Sequence, residues 1–287
     1  MGEIGKWANR QMRKKMGRIK TSIVLSTHQA EFNAVAFKGD WRANLAKIAA
    51  LGYDGVELAI RDPNLIDADA LLAVTGAHGL SVPAIGTGQA WGEEGLSFTD
   101  PDESVRQAAI RRVCDHVPLA ARSGAVIIIG LLRGIVKPGV EHGQAMAWLV
   151  DALRRCAAAA APHGARLVLE PINRYETTLI NTVPQCLDLI DAVGAANFGV
   201  LPDTFHMNIE ERSISASLRQ AGAHIFHIHV ADSNRWYPGA GHIDFGAVFQ
   251  ALRDLDYAGY VSVEAMPMPD ADTCAMESIK TLKQLSL

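Results

Sequence analysis

No run in this 287-residue chain is long enough and apolar enough to cross a bilayer as a helix. Basic charge is also in short supply. Lys and Arg number 27 against 31 Asp and Glu, a net charge of −4, whereas a nucleic-acid surface ordinarily carries a clear basic excess. The few cysteines (Cys114, Cys156, Cys186 and Cys274) are scattered without paired spacing. That argues against a disulfide framework or a zinc knuckle and suits a reducing, cytoplasmic setting. No linker or low-complexity tract divides the chain, and no Gly-rich phosphate fingerprint follows the first apolar run. The basic cluster Arg10, Arg13, Lys14, Lys15, Arg18 and Lys20 precedes no apolar stretch of signal-peptide type. Residues 1–20 are therefore expected to be a leading extension and 21–287 one folded domain.

What is present is a regular alternation. Short β-branched runs at 22–26, 55–60, 81–87, 125–130, 165–170, 198–203, 225–231 and 260–265 read as strands. Between them lie Ala/Leu/Arg-rich stretches of helical period, among them 41–51, 67–79, 102–123, 142–163, 183–193, 244–255 and 272–285. The strands are apolar at nearly every position, as when both faces of a parallel sheet are buried. Eight such units predict an α/β protein built as a single (β/α)8 TIM barrel. An open doubly wound sheet is the alternative.

Four of the runs close on metal-binding side-chain types. Glu170 ends ARLVLE, Asp203 ends FGVLPD, His229 sits in HIFHIHVAD, and Glu264 lies in GYVSVEA. Burying three carboxylates and an imidazole among Val, Leu and Ile is costly without a compensating partner, and a divalent cation is the simplest one. In such a barrel the catalytic face lies at the strand C-termini, so strands five to eight would each offer one ligand to the same mouth. One nitrogen and three oxygens suit Mn²⁺, Mg²⁺ or Co²⁺ better than a thiolate-seeking metal. The alternative is four separately paired polar residues at strand ends.

The segments LEPINRYE (169–176), LPDTFHMNIEE (201–211), HIHVADSNRWYPGAGHIDF (227–245) and YVSVEA (260–265) resemble the ketose 3-epimerases. These include the D-tagatose and D-psicose 3-epimerases, within the xylose isomerase-like superfamily. The resemblance implies one divalent metal, usually Mn²⁺ or Co²⁺, on Glu170, Asp203, His229 and Glu264. It implies that Glu170 and Glu264 double as the acid/base pair, and that Glu176, His206 and Arg235 contact a sugar. LAIRDP (58–63), AIGTGQAW (84–91) and IIGLLRG (128–134) match a narrower subgroup, for which a keto acid such as 5-keto-gluconate is an implied substrate. Related barrels form dimers or tetramers, so a homo-oligomer is implied as well.

Epimerising the carbon beside a ketone needs a base, an acid on the other face, and a way to hold an enediolate. Two carboxylates flanking a cation meet all three needs. Asp203 would then be a ligand only. His206 lies just past the sixth strand, within reach of a substrate oxygen, and Arg235 follows the seventh in a turn where a guanidinium can clamp hydroxyls. Arg61 and Arg133 each follow a strand and would meet a substrate carboxylate if there is one. Trp91, Trp236 and Phe205 are candidate pocket walls. Glu57 reads as a supporting carboxylate, His227 as a hydrogen-bonded core histidine, and His28 is left open. The alternatives are an aldose–ketose or hydroxypyruvate-type isomerase, an inositol-ketone dehydratase, an endonuclease IV-type nuclease, and a silent binding protein.

Overall fold

The computed structural model describes residues 18–286. Eight parallel strands form the wall: β1 (Lys20–Ser26), β2 (Gly55–Ala59), β3 (Ala84–Gly86), β4 (Val126–Ile129), β5 (Arg166–Leu169), β6 (Phe198–Val200), β7 (Ile228–Val230) and β8 (Tyr260–Val263). Each pairs with its neighbour in sequence, and β8 pairs with β1 in the register Ile23 opposite Val263. The ring closes between β6 and β7, where Phe226 N donates to Val200 O at 3.2 Å and His229 N to Pro202 O at 3.0 Å. That closure sets Asp203 and His229 side by side.

The strand period of two sorts every side chain inward or outward. Ile23, Leu25, Val56, Leu58, Ile127, Ile129, Leu167, Leu169, Ile228, Val230, Val261 and Val263 join the large core between barrel and helices. Residues of the other parity, such as Val24, Ala59, Ala84, Val126, Ile128 and Val168, fill the barrel in two small clusters. Glu57, Glu170, Asp203, His227, His229 and Glu264 share that inward parity. Their strands therefore aim them at the axis.

The outer ring comprises α1 (Trp41–Leu51), α2 (Ala68–Ala77), α3 (Gln89–Glu94), α4 (Glu103–Asp115), α5 (Val117–Ser123), α6 (His142–Ala160), α7 (Val183–Val193), α8 (Thr204–Glu210), α9 (Ile214–Ala221), α10 (Phe245–Asp254) and α11 (Ala271–Leu285). Side-chain caps start many of them, including a full capping box at Thr182 and Gln185 on α7. The stretch expected as one helix over 102–123 is two, broken at His116. Pro118 has no N–H to give to the carbonyl four residues back, so the first helix ends there. Helices α3, α8 and α9 are additions to the stretches read from sequence. No helix among the described residues is long and apolar enough to cross a membrane.

Most of the expected extension, residues 1–17, lies outside the described residues. Residues 18–20 already belong to the barrel: Arg18 pairs with Asp54, and Lys20 N donates to Gly259 O at 2.9 Å.

Candidate active site

At the C-terminal mouth of the barrel lies a cavity of about 410 Å³. Glu170, His229 and Glu264 line it, Asp203 is buried beside them, and each of the four offers one ligand atom, all within 4.8 Å of one another. His229 Nδ1 stands at the centre, 3.3 Å from Glu170 Oε1, 3.7 Å from Glu264 Oε2 and 3.9 Å from Asp203 Oδ2.

The other face of that imidazole explains its orientation. His229 Nε2 lies 3.0 Å from Glu57 Oε1, and His227 Nε2 lies 2.8 Å from Glu57 Oε2, with all three residues buried. A carboxylate that takes the Nε2 hydrogen leaves the Nδ1 lone pair free for a cation, the usual arrangement behind a metal-binding histidine. Glu57, His227 and His229 are themselves close enough to hold a metal, but hydrogen bonds already account for the contacts among them.

The electrostatics suit a cation. Burial together with the neighbouring Glu170 pushes the Asp203 carboxyl up to about 7, and burial raises Glu264 well above the usual carboxylate range. Burial opposes charge on His229 too, yet Glu57, Glu264 and Glu170 raise it well above the normal imidazole value. Asp203 Oδ1 accepts from Phe205 N at 2.7 Å, whereas Oδ2 is buried with no partner. Asp203, Glu264 and His229 thus hold protons that a divalent ion would displace, while the His229 imidazole beside Glu170 keeps that carboxylate below its usual range. The donor set and the orphan oxygen fit such an ion.

Around these four residues sit the expected sugar contacts. Asn173 Nδ2 donates to Glu176 Oε1 at 2.9 Å and to His206 Nδ1 at 2.8 Å. Burial pushes His206 down to about 3, so the ring is neutral and its remaining hydrogen is on Nε2, 3.8 Å from Glu170 Oε1. Arg235 Nη1 donates to Glu176 Oε1 at 3.0 Å, while Nη2 lies 3.7 Å from Glu264 Oε2. Its guanidinium lies 4.8 Å from the Phe205 ring centre and 5.2 Å from that of Phe32. Arg235 has φ +61, a left-handed backbone that Asp232 supports by accepting from Ser233 N, Gly239 N and Ile243 N.

The xylose isomerase-like TIM barrel family model matches residues 45–285. An L-ribulose 3-epimerase of Methylomonas sp. (strain DH-1) is 32% identical over 240 residues, 81% of this chain and 82% of the relative. The chain belongs to the ketose 3-epimerases of that barrel family. A solved D-allulose 3-epimerase from Methylomonas sp. superposes with a TM-score of 0.80 at 26% identity, covering 94% of this chain and 99% of the other. A 3-keto-D-glucoside 4-epimerase from E. coli gives 0.76 at 25%, covering 93% and 99%.

Two expectations for this epimerase need correction. Arg133 does not face a substrate carboxylate. It is fully buried, and its guanidinium donates to the carbonyls of Gly130, Leu179 and Ile180 at 3.0–3.3 Å and to that of Glu170. It braces the backbone that carries Glu170. Arg61 is also absent from the cavity wall, being paired with Glu93 at 2.7 Å and Glu94 at 3.2 Å. Trp91 does line the cavity, whereas the Phe205 ring sits against Arg235. His28 approaches indirectly, 3.2 Å from the carboxylate of Glu93 on the cavity wall. Sequence reading passed over Asn173, Asp232 and Glu93. Asn173 and Asp232 did stand inside the family-like segments; Asp232 bonds only within its own loop, as is common in any loop, while Asn173 reaches His206 across 33 positions, which no local pattern marks.

Proposed function

We propose that this epimerase inverts carbon 3 of an uncharged ketose through a cis-enediolate. The observation that carries the reading is the convergence of Glu170 and Glu264, from strands five and eight, on the same imidazole nitrogen at 3.3 and 3.7 Å. Names borne by its relatives, an L-ribulose and a D-allulose 3-epimerase, support carbon 3 and a free ketose.

Glu170, Asp203, His229 and Glu264 would hold one divalent ion, Mn²⁺ foremost, with Co²⁺ or Mg²⁺ as substitutes. Once bound, the ion supplies positive charge that lowers the cost of the negative oxygen developing on the substrate. One of the two glutamates removes the proton from carbon 3, and the other returns a proton on the opposite face. His206 donates its Nε2 hydrogen to a substrate oxygen. The Arg235–Glu176 pair clamps neighbouring hydroxyls, and the rings of Phe205 and Phe32 keep the guanidinium from swinging away.

The wall chemistry favours a neutral sugar over a keto acid. Six glutamates line the cavity (Glu31, Glu57, Glu93, Glu170, Glu176 and Glu264) against one arginine, Arg235. For a 5-keto-gluconate carboxylate the three nearby arginines are already engaged, Arg235 with Glu176, Arg61 with Glu93 and Glu94, and Arg133 with backbone carbonyls. A second reading, inversion at carbon 4 of a keto-glycoside, is favoured only by the 4-epimerase likeness.

The test is NMR in D₂O with Mn²⁺-loaded protein and a panel of ketohexoses, ketopentoses and keto-hexonates. Deuterium entering at carbon 3 of a free ketose, with its epimer appearing, is the expected result. Aldose formation, or exchange confined to carbon 4 of a keto-glycoside, would overturn it.

A further inference from the structure

The mouth of the barrel has two sides. The converging carboxylates and imidazole occupy strands five to eight, while the opposite wall, from strands one to three, presents to the cavity a buried amide oxygen without a hydrogen-bond partner. Gln89, the first residue of α3, lines the cavity, is 7% exposed, and has a buried Oε1 with no hydrogen-bond partner. Its Nε2 donates to Ser26 Oγ at 3.1 Å. Turning the amide end for end would satisfy the oxygen on the Ser26 hydroxyl and strand the nitrogen instead. One polar end of this side chain lacks a partner in either orientation.

A buried amide group without a partner is costly, and folded proteins seldom retain one without reason. Gln89 is also braced. Ser26, fully buried at the end of β1, lies 3.4 Å from His28 Nδ1. His28 holds the Glu93 carboxylate at 3.2 Å, and Arg61 holds it from the other side at 2.7 Å. The two arginine–carboxylate and histidine–carboxylate contacts tie α3 to strands one and two, fixing the amide against the cavity. A side chain fixed by supporting bonds and left with one free polar end is a preorganised reader of a ligand group.

We propose that Gln89 is a specificity-determining residue that binds a hydroxyl on the sugar's remote end, beyond carbon 3. This rests on the ketose reading above, which places the reacting carbons over strands five to eight. A hydroxyl both donates and accepts, so it completes the amide in either orientation. A sugar lacking that hydroxyl leaves the amide bare and is rejected, because the loss falls on a buried polar group.

The experiment is a cycle between enzyme and substrate. Wild type and Gln89→Leu, both loaded with Mn²⁺, are compared on a turned-over ketohexose and on its 4-, 5- and 6-deoxy analogues. Both kcat/KM and the Kd from quenching of tryptophan fluorescence are measured, Trp91 lining the same cavity. For one deoxy position the wild type should lose about 10- to 100-fold, and Gln89→Leu should lose a similar factor on the parent sugar. On that deoxy sugar the two proteins should then be nearly equal. Gln89→Asn, which keeps the amide but shortens it, should fall between them, and Mn²⁺ affinity should be the same in all three.

Discrimination among the deoxy sugars that Gln89→Leu leaves unchanged, or parent-sugar kinetics within about threefold of wild type, would overturn the assignment. Those outcomes leave carbon-3 exchange in the wild type intact and so spare the ketose reading. Absence of exchange in the wild type would remove both.

Discussion

Replacing Glu57 by glutamine tests the construction of the site without touching any group that contacts a cation. The Glu57 carboxylate accepts from His227 Nε2 at 2.8 Å and His229 Nε2 at 3.0 Å, and all three groups are buried. A glutamine has one acceptor oxygen for two imidazole N–H groups, and its NH₂ would face the second. Either His229 loses the partner that fixes its ring, or His227 is left unsatisfied. The charge that favours a basic His229 disappears as well. Groups in this supporting position typically contribute 10- to 100-fold in metal affinity, about 1.4–2.7 kcal/mol. The assay is calorimetric titration of metal-stripped Glu57→Gln with Mn²⁺, with circular dichroism as the check on folding. Binding within about threefold of wild type in a folded variant would refute the idea that Glu57 orients the metal-facing nitrogen.

Three further outcomes follow from the geometry. Glu170→Gln and Glu264→Gln should each abolish turnover while the fold survives; more than a few per cent residual activity in either would reject the two-carboxylate scheme. Arg133→Met strands the carbonyls that Arg133 now satisfies, a cost of about 3 kcal/mol or more, read as a Tm drop on the order of 10 °C; a Tm within about 2 °C of wild type would contradict the bracing role. The Asp203 carboxyl, pushed up to about 7, takes a proton below that pH which a cation must displace. Mn²⁺ affinity should therefore fall by at least about tenfold per pH unit below that point, more steeply as Glu264 and His229 also shed protons to the ion, and a flat calorimetric profile would disprove the competition.

Much of the fold was legible because both of its signals are local. Apolar runs that close on Glu170, Asp203 and Glu264 declare a strand and an inward-facing polar end in the same few residues, and the period of two then sends His227 and His229 to the same interior. Helix breaks were less readable: Pro118 divides a stretch whose composition is helical throughout, and α8 and α9 follow strand six without a long amphipathic pattern. Arg61 and Arg133 mark the limit. Each occupies the position after a strand where a substrate-binding arginine belongs, and nothing adjacent in sequence marks Glu93, Glu94 or the carbonyls near residue 180 as its true partners.

By itself the sequence determined the barrel, the convergence of one imidazole and three carboxylates, and the family, since each depends on spacing along a strand or on contiguous segments. Only the tertiary structure decided what each polar group does with its second contact. Glu57 meets His229 across 172 positions, and Ser26 meets Gln89 across 63. Such pairs form because ring closure brings distant strands together, and a hydrogen bond depends on that final distance rather than on separation along the chain.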